Sequence, residues 1–256
     1  IYLPYNMSEM NRQSKKRPCM VVCPGGGYAM CSQRESEPIA LQCLPKGFNV
    51  FVIKYSCAPN RFPTQIIEVA ALMELIYKNS EEWGCDTSKI SIIGFSAGGH
   101  LAAHYSTMYD CKEIRNVFPQ SKPVNAAVLC YPVITADPEY AHIGSINNLS
   151  GKSERTPKED DYFSCEKNVT EKTPPTFLWH TAQDNSVPVM NSILYAEALS
   201  KNKVPFELHI YPYGEHGLAT VDRLTNGELD SKTAHAGAWI NAVLCWLELM
   251  GFVPEI

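Results

Sequence analysis

The sequence feature that most constrains the fold is the stretch IGFSAGGH at residues 93–100. An apolar run at 90–94 predicts a buried strand, and the spacing of 97–109 predicts a helix directly after it. Ser96 stands at the junction, with Gly94 and Gly98 on either side. In this setting the hydroxyl is held on a sharp turn at a strand's carboxyl end, so Ser96 is a candidate nucleophile. The alternative, a serine that only caps the helix, would not require glycine on both sides.

The rest of the chain alternates short apolar runs with longer runs of helical period, which is typical of an α/β protein with a mainly parallel sheet. Because the apolar runs contain few polar residues, we expect helices on both faces of the sheet. The predicted strands are 19–23, 50–55, 90–94, 126–131, 176–181 and 206–211, and further helices are predicted over 63–79 and 235–249. Residues 1–256 are expected to form a single domain, as is common for α/β proteins of this length.

Residues 135–175 depart from this alternation. The segment is polar, carries a charge-rich piece at 152–161 and ends in two prolines before the penultimate strand. Such a long connection inside a compact domain is more often functional than idle. We interpret 135–175 as a short cap-like insertion that overhangs the site, with a plain surface excursion as the alternative.

A serine hydroxyl is a poor nucleophile unless a base removes its proton, and His216 is the best candidate for that base. It lies in the glycine-flanked loop YGEHG at 213–217, beyond the strand 206–211, where an imidazole can reach a site. The other histidines are weaker candidates because they lie within strands, in the insertion or on helices: His180, His209, His142, His235, His100 and His104. The last two stand four residues apart and could share a metal ion, but no third ligand is near in sequence, so no metal or other cofactor is expected.

Asp184 is the best candidate to orient the histidine, because it follows the strand 176–181 in the loop TAQDNSVP. A role as the N-cap of the next helix is the alternative for Asp184. Asp137, shortly after the strand 126–131, is the second choice. Ser96, Asp184 and His216 thus occur in the order nucleophile, acid and base, each in a loop after a predicted strand.

Attack of a serine on a carbonyl carbon also requires backbone amides that stabilise the resulting oxyanion. Ala97 opens the predicted helix, so its N–H is one candidate. The run GGG at 25–27 follows the first strong strand, and glycines let backbone N–H groups approach a substrate closely. Alone, such a run could be a plain turn. After an early strand it occupies the position from which the second donor is expected.

The charge balance argues against a nucleic-acid partner. The chain has 22 basic and 27 acidic residues, a net charge of −5. Its only basic cluster, Lys15-Lys16-Arg17, is too small for a broad basic face and is interpreted as a solvated lead-in. No apolar run reaches the roughly 18 residues of a membrane span, so no membrane partner is expected either.

Ten cysteines are present, without a paired CxxC pattern of the kind that holds zinc. Several lie in apolar runs and are predicted to be buried thiols: Cys19, Cys23, Cys130 and Cys245. Free thiols of this kind favour a reducing, cytoplasmic compartment. Because the chain begins at Ile1 rather than at a methionine, an N-terminal signal ahead of it stays an open alternative.

The motifs CPGGGY at 23–28, RESEP at 34–38, GFSAGGHLA at 94–102, HTAQDNSVP at 180–188 and YGEHG at 213–217 carry a resemblance that spans nearly the whole chain. The chain resembles the α/β-hydrolase superfamily, and more narrowly the esterase and lipase-like sugar hydrolases related to acetyl xylan esterases. Lipase-type relatives carry HGGG, whereas Pro24 precedes the glycines here, which points towards the carbohydrate-esterase branch.

The resemblance implies an α/β-hydrolase fold and a role for each matching residue. The implied roles are Ser96 as nucleophile, His216 as base, Asp184 as orienting acid, and Gly26, Gly27 and Ala97 as oxyanion donors. The implied partner is a small ester substrate, with acetyl groups on xylo-oligosaccharides or related sugars favoured.

Several alternatives stay open. A peptidase or a lactone hydrolase would use the same triad, although a dienelactone-type enzyme would carry cysteine where Ser96 stands. A non-catalytic binding protein on a hydrolase fold is an alternative of a different class. Acyl length, the alcohol and the oligomeric state depend on features that these motifs do not specify.

Overall fold

The computed structural model describes residues 16–252. Six strands within this range form one sheet in which every neighbouring pair is parallel. The strands are β1 (Arg17–Cys23), β2 (Asn49–Val52), β3 (Cys85–Phe95), β4 (Ala126–Cys130), β5 (Thr176–Thr181) and β6 (Phe206–Tyr211). Their order across the sheet is β2-β1-β3-β4-β5-β6, so β3, which leads to Ser96, lies inside the sheet and β2 and β6 form its edges.

Helices connect the strands. They are α1 (Glu37–Cys43), α2 (Thr64–Lys78), α3 (Ala97–Met108), α4 (Lys112–Arg115), α5 (Ile143–Ser150), α6 (Pro157–Phe163), α7 (Met190–Lys201), α8 (Arg223–Asn226), α9 (Ser231–Ala234) and α10 (Trp239–Leu249). Short 3₁₀ turns are found at Gln33–Glu35, Leu44–Lys46, Cys165–Asn168 and His235–Ala238. The predicted helix 235–249 is therefore a 3₁₀ turn followed by α10.

The core lies in two layers, one on each face of the sheet. Alternate side chains of β1 enter opposite layers, with Val21 on one face and Val22 on the other. The Val21 layer includes Ile66 of α2 and Leu101 of α3. The Val22 layer includes Trp239 of α10. This arrangement confirms the predicted α/β fold with a mainly parallel sheet and helices on both faces.

Three expectations from the apolar runs are wrong in detail. The strand predicted over 50–55 ends at Val52, and the chain then bends so that the Tyr55 hydroxyl donates to the Pro24 carbonyl at 2.6 Å. The edge strand β6 is not covered on both faces, because Phe206 and Ile210, which share one face, are 39% and 42% exposed. Cys245 is exposed rather than buried, because it lies on the outer side of α10, opposite the buried Val243 and Trp246.

Parts of the polar segment 135–175 are buried in the structure. It carries α5, α6 and a 3₁₀ turn, and Ile146 and Leu149 on α5 are buried in the main core. The Leu149 carbonyl accepts a hydrogen bond from the Phe62 N–H at 2.7 Å. The segment is thus packed into the fold, and its α5 end adjoins the glycine run at 25–27.

Of the basic cluster, Lys15 lies outside the described residues, and Lys16 forms an exposed ion pair with Glu81. In the described range 16–252, no helix combines the length and the apolar character needed to cross a bilayer.

His100 and His104, one turn apart on α3, are both buried. Burial lowers the pKa of His100 to about 4, although a hydrogen bond to the Phe163 carbonyl raises the pKa in part. Burial and the neighbouring His100 lower the pKa of His104 well below its usual value. The His104 ring stacks on Phe62, and its Nε2 is buried without a hydrogen-bond partner in the described part of the chain. The pair is a packed structural feature.

Replacing His104 by phenylalanine is expected to reduce the acid sensitivity of folding. Below about pH 6.5 a histidine in the unfolded chain binds a proton that the buried ring cannot bind, so stability falls as the pH decreases. The variant should remove up to about 1.4 kcal/mol per pH unit of this slope between about pH 6 and 4. Urea unfolding at several pH values measures it, with the exposed His235→Gln as control. Equal slopes in His104→Phe and the wild type would contradict the assignment.

Candidate active site

Ser96 occupies a strained turn between β3 and α3. Its backbone has φ 53° and ψ −120°, a left-handed conformation that non-glycine residues rarely adopt and that costs of the order of 1–3 kcal/mol. Two backbone hydrogen bonds stabilise the turn: the Ser96 N–H donates to the Cys130 carbonyl and the Ser96 carbonyl accepts from the Val133 N–H, both at 3.0 Å. The turn is therefore supported by the strand next to β3.

The glycines around Ser96 let α3 pack directly on the ends of the strands. A Cβ at Gly94 would lie 2.2 Å from the Gly98 carbonyl oxygen, and one at Gly98 would lie 2.1 Å from the Cys23 carbonyl oxygen. Neither distance is possible for a side chain. Glycine is therefore required on both sides of the serine, which a simple helix cap would not need.

The structure brings Ser96, His216 and Asp184 together in one hydrogen-bonded line. His216 Nε2 lies 2.8 Å from Ser96 Oγ, and His216 Nδ1 lies 2.6 Å from Asp184 Oδ2. With the Nδ1–H donating to the carboxylate, Nε2 is the nitrogen that accepts the serine proton. Asp184 follows β5 and His216 follows β6, so parallel strands deliver the residues to one edge of the sheet. In this geometry an imidazole can take the serine proton while a carboxylate orients the ring, and the roles of the three residues stay predictions.

The Asp184 carboxylate is buried and densely hydrogen-bonded. Its Oδ1 accepts the N–H groups of Ser186 at 3.0 Å and Val187 at 2.8 Å. Burial alone would raise the pKa of Asp184, but the bonds to His180, His216 and the Val187 amide, with the charge of His216, bring the pKa well below its usual value. A carboxylate that stays ionised can hold the imidazole in one orientation and stabilise its protonated form.

His180 supports Asp184, a role that the strand pattern gave no reason to expect. Its Nε2 donates to the Val187 carbonyl at 2.9 Å and lies 3.2 Å from Asp184 Oδ2, while its Nδ1 accepts from the Ser192 hydroxyl at 2.8 Å. The ring is completely buried. The signal in the sequence was only its spacing of four residues before Asp184.

The glycine run lies directly against Ser96. A Cβ at Gly25 would be 2.9 Å from the Ser96 Cβ, and the Gly25 N–H is already bound to Glu35 Oε2 at 2.8 Å. Gly26 and Gly27 have φ of 120° and 64°, conformations that favour glycine. Among the described residues, the amides of Gly26, Gly27 and Ala97 bind no other group, so they are free to donate to a ligand.

The insertion contributes two groups near this site that the sequence did not single out. Asn148 Nδ2 donates to the Gly27 carbonyl at 2.8 Å, which holds the glycine run from the side of α5. His142 caps α5 and lies 2.7 Å from the Ser145 hydroxyl. Burial, followed by the charge of His216, lowers the pKa of His142, so this ring is neutral close to the triad.

The second-choice acid does not join the triad. Asp137 is exposed and accepts the N–H of Glu139 at 3.0 Å within its own loop. Within residues 16–252, no group of three or more histidine, cysteine, aspartate or glutamate side chains is arranged to hold a metal ion.

An open cavity of about 500 Å³ adjoins His216. Its lining is mainly polar and comes from the loops after β5 and β6 and from the turn at Gln33–Glu35. The lining residues include Arg34, Gln183, Glu215, His216, Thr225, Asn226 and Asp230. A ligand in this cavity would find hydrogen-bond donors and acceptors next to the imidazole.

The parallel sheet, the strained serine turn and the ordered triad geometry together define an α/β-hydrolase domain. The chain matches the family model BD-FAE over residues 1–199 and therefore belongs to that family. This confirms the resemblance to the esterase and sugar-hydrolase branch.

Individual relatives point the same way. The chain is 35% identical over 231 residues to the endo-1,4-beta-xylanase B of Butyrivibrio fibrisolvens, covering 86% of this chain and 35% of the relative. It is 32% identical over 202 residues to an acetylxylan esterase of Xylanibacter ruminicola, covering 77% of this chain and 40% of the relative. The chain thus spans well under half the length of these two relatives.

Solved structures resemble the chain over most of their length. An acetyl ester-xyloside bifunctional hydrolase from Caldicellulosiruptor lactoaceticus has a TM-score of 0.84 and 38% identity, covering 95% of this chain and 86% of the other. A carboxylesterase from Lactobacillus plantarum has a TM-score of 0.85 and 27% identity, covering 100% and 93%. These matches place the domain among relatives of carboxylic ester hydrolases.

Asp184→Asn is expected to slow the reaction of Ser96 with a fluorophosphonate by up to about 10⁴-fold, because the amide favours the wrong imidazole tautomer. Asp137→Asn is the matched control and should react at the wild-type rate. The labelling rate, followed by intact-protein mass, is the measurement. If Asp137→Asn reacts slowly and Asp184→Asn reacts at the wild-type rate, Asp137 rather than Asp184 is the orienting acid.

Proposed function

We propose that this chain is a serine esterase that removes short acyl groups, acetyl above all, from xylo-oligosaccharides or related sugars. The proposal rests on the hydrogen-bonded line of Ser96, His216 and Asp184 and on the polar cavity that His216 helps to line. Relatives described as an acetylxylan esterase and an acetyl ester-xyloside hydrolase support the same substrate class.

In the proposed reaction Ser96 Oγ attacks the acyl carbonyl while His216 Nε2 takes its proton. The amides of Gly26, Gly27 and Ala97 are placed to stabilise the oxyanion, and each such donor is worth about 10²–10³ in turnover. His216 then gives the proton to the leaving alcohol oxygen. A water molecule, activated by the same imidazole, releases the acid and restores Ser96.

The position of the cavity favours a polar alcohol. Because His216 protonates the leaving oxygen, the alcohol must lie on the His216 side of Ser96. The cavity that adjoins His216 offers a guanidinium from Arg34, an amide from Gln183 and a carboxylate from Asp230. Groups of this kind bind the hydroxyls of a sugar, whereas a long alkyl alcohol would leave them unpaired.

The oxyanion side favours a small acyl group. Ser145 Oγ lies 3.8 Å from the position of a Cβ at Gly27, so α5 comes close to the glycine run. His142 lies at the start of the same helix, and the charges of His216 and Asp184 affect its pKa. An acyl chain that extends past Gly27 would meet this wall.

The substrate class is tested with p-nitrophenyl acetate and octanoate, acetylated xylo-oligosaccharides and aminoacyl amides. We expect kcat/KM to fall at least tenfold from acetate to octanoate, since extra methylenes have no pocket to fill. The acetylated xylo-oligosaccharides should be hydrolysed and the amides should not. A preference for octanoate would support a lipase, and amide cleavage would support a peptidase.

Arg34→Ala is expected to raise KM for acetylated xylo-oligosaccharides about tenfold, with a smaller change for p-nitrophenyl acetate, which carries no sugar. Arg223→Ala is the matched control, because Arg223 is 82% exposed and pairs with Glu228. Steady-state kinetics with both substrates provide the comparison. An equal effect of Arg34→Ala on both substrates would argue against a sugar contact.

A further inference from the structure

Glu35 is a buried acidic residue that the reaction described above does not use. It ends the 3₁₀ turn at Gln33–Glu35, from which Arg34 faces the cavity beside His216, while the Glu35 side chain turns inward and is 4% exposed. No cationic side chain pairs with it among the ion pairs of the described residues. A buried carboxylate must then be compensated by hydrogen bonds.

One oxygen of this carboxylate holds the glycine run. The Gly25 N–H donates to Glu35 Oε2 at 2.8 Å, at the residue just before the candidate oxyanion donors. The packing around Gly25 leaves no room for a side chain. A Cβ at this position would lie 2.6 Å from Glu35 Oε2 and 2.9 Å from the Ser96 Cβ. Glu35 therefore holds the glycine run at the point where the run packs against Ser96.

The other oxygen reaches the histidine loop through Tyr131. The Tyr131 hydroxyl donates to Glu35 Oε1 at 2.7 Å and accepts the Ala219 N–H at 2.9 Å. Ala219 lies three residues after His216. The Tyr131 ring also packs edge-on against the His216 imidazole, with 5.1 Å between ring centroids. Burial and the adjacent Glu35 raise the pKa of Tyr131 well above its usual value, so the hydroxyl keeps its proton and remains a donor.

We propose that Glu35 is a positioning residue that ties the oxyanion loop at Gly25 to the loop of His216 through the Tyr131 hydroxyl. It touches neither substrate nor the reacting atoms. Its two oxygens fix the distance between the groups that stabilise the oxyanion and the imidazole that moves the proton. The inference rests on the proposed esterase function, because Glu35 connects the candidate oxyanion donors with the candidate base.

Glu35→Gln is the most specific test of these hydrogen bonds, because the side chain keeps its volume and loses one acceptor oxygen and the charge. A glutamine has one acceptor oxygen, so it can accept from either the Gly25 N–H or the Tyr131 hydroxyl, while its NH₂ group faces the other partner. A glycine run displaced by even a fraction of an ångström would bind the oxyanion less well. Tyr131→Phe removes the other half of the link while it keeps the ring against His216. Glu37→Gln, two residues away and exposed, is the matched control.

The test measures kcat and KM on p-nitrophenyl acetate per active site, with sites counted by complete fluorophosphonate labelling. We expect Glu35→Gln to lower kcat about 10- to 100-fold with KM changed less than about threefold. Tyr131→Phe should lower kcat in the same direction. The double variant should lose less than the product of the two single losses, because both remove one link. Glu37→Gln should match the wild type.

A purely structural role predicts a different result: a lower melting temperature and fewer labelled sites, but a wild-type kcat per labelled site. That result, or multiplicative losses in the double variant, would overturn the proposal. The rate of fluorophosphonate labelling gives a second readout that needs no ester, and Glu35→Gln should slow it. If the wild type labels rapidly but hydrolyses no ester, the proposed function fails, while the labelling rates still test the link. A labelling rate unchanged by Glu35→Gln would overturn the link itself.

Discussion

The contact between Gly98 and the end of β1 is the constraint on which the rest of the site depends. Because a Cβ at Gly98 would lie 2.1 Å from the Cys23 carbonyl oxygen, α3 can approach the sheet only where no side chain intervenes. This approach forces the sharp turn at Ser96, with its φ of 53°. It also brings the serine against the glycine run that continues from Cys23, since a Cβ at Gly25 would lie 2.9 Å from the Ser96 Cβ. One backbone contact thus sets the position of the candidate nucleophile next to the candidate oxyanion donors.

Two buried carboxylates hold this arrangement from opposite sides. Asp184 accepts bonds from His216, His180 and the turn amides behind them, and Glu35 accepts bonds from Gly25 and Tyr131. Asp184 thereby holds the loop of His216, and Glu35 holds the glycine run. Buried and fully bonded carboxylates are costly to disturb, so the loops above them are held in a single geometry. Preorganisation of this kind is what electrostatic stabilisation of an oxyanion requires.

Much of this site was predictable from sequence. In a parallel sheet all strands have their carboxyl ends on the same side, and the motifs directly follow those ends. Ser96, Asp184 and His216 were found in this way, and their geometry agrees, although their catalytic roles remain predictions. The exposure of β6 was not predicted, although its run FELHIY contains Glu207 and His209, whereas the inner strand β4 is AAVLC throughout. The partner of Tyr131 was not predictable either, since Glu35 lies 96 residues away and meets it only in the folded chain.

In the proposed reaction Ser96 carries the acyl group during turnover. The most direct measurement is peptide mass mapping of protein quenched in acid while it hydrolyses p-nitrophenyl acetate. We predict one added acetyl group on the peptide that contains Ser96 and none in Ser96→Ala, which should also lose almost all activity. An acetyl group on a different residue, or a Ser96→Ala variant with wild-type turnover, would contradict this account.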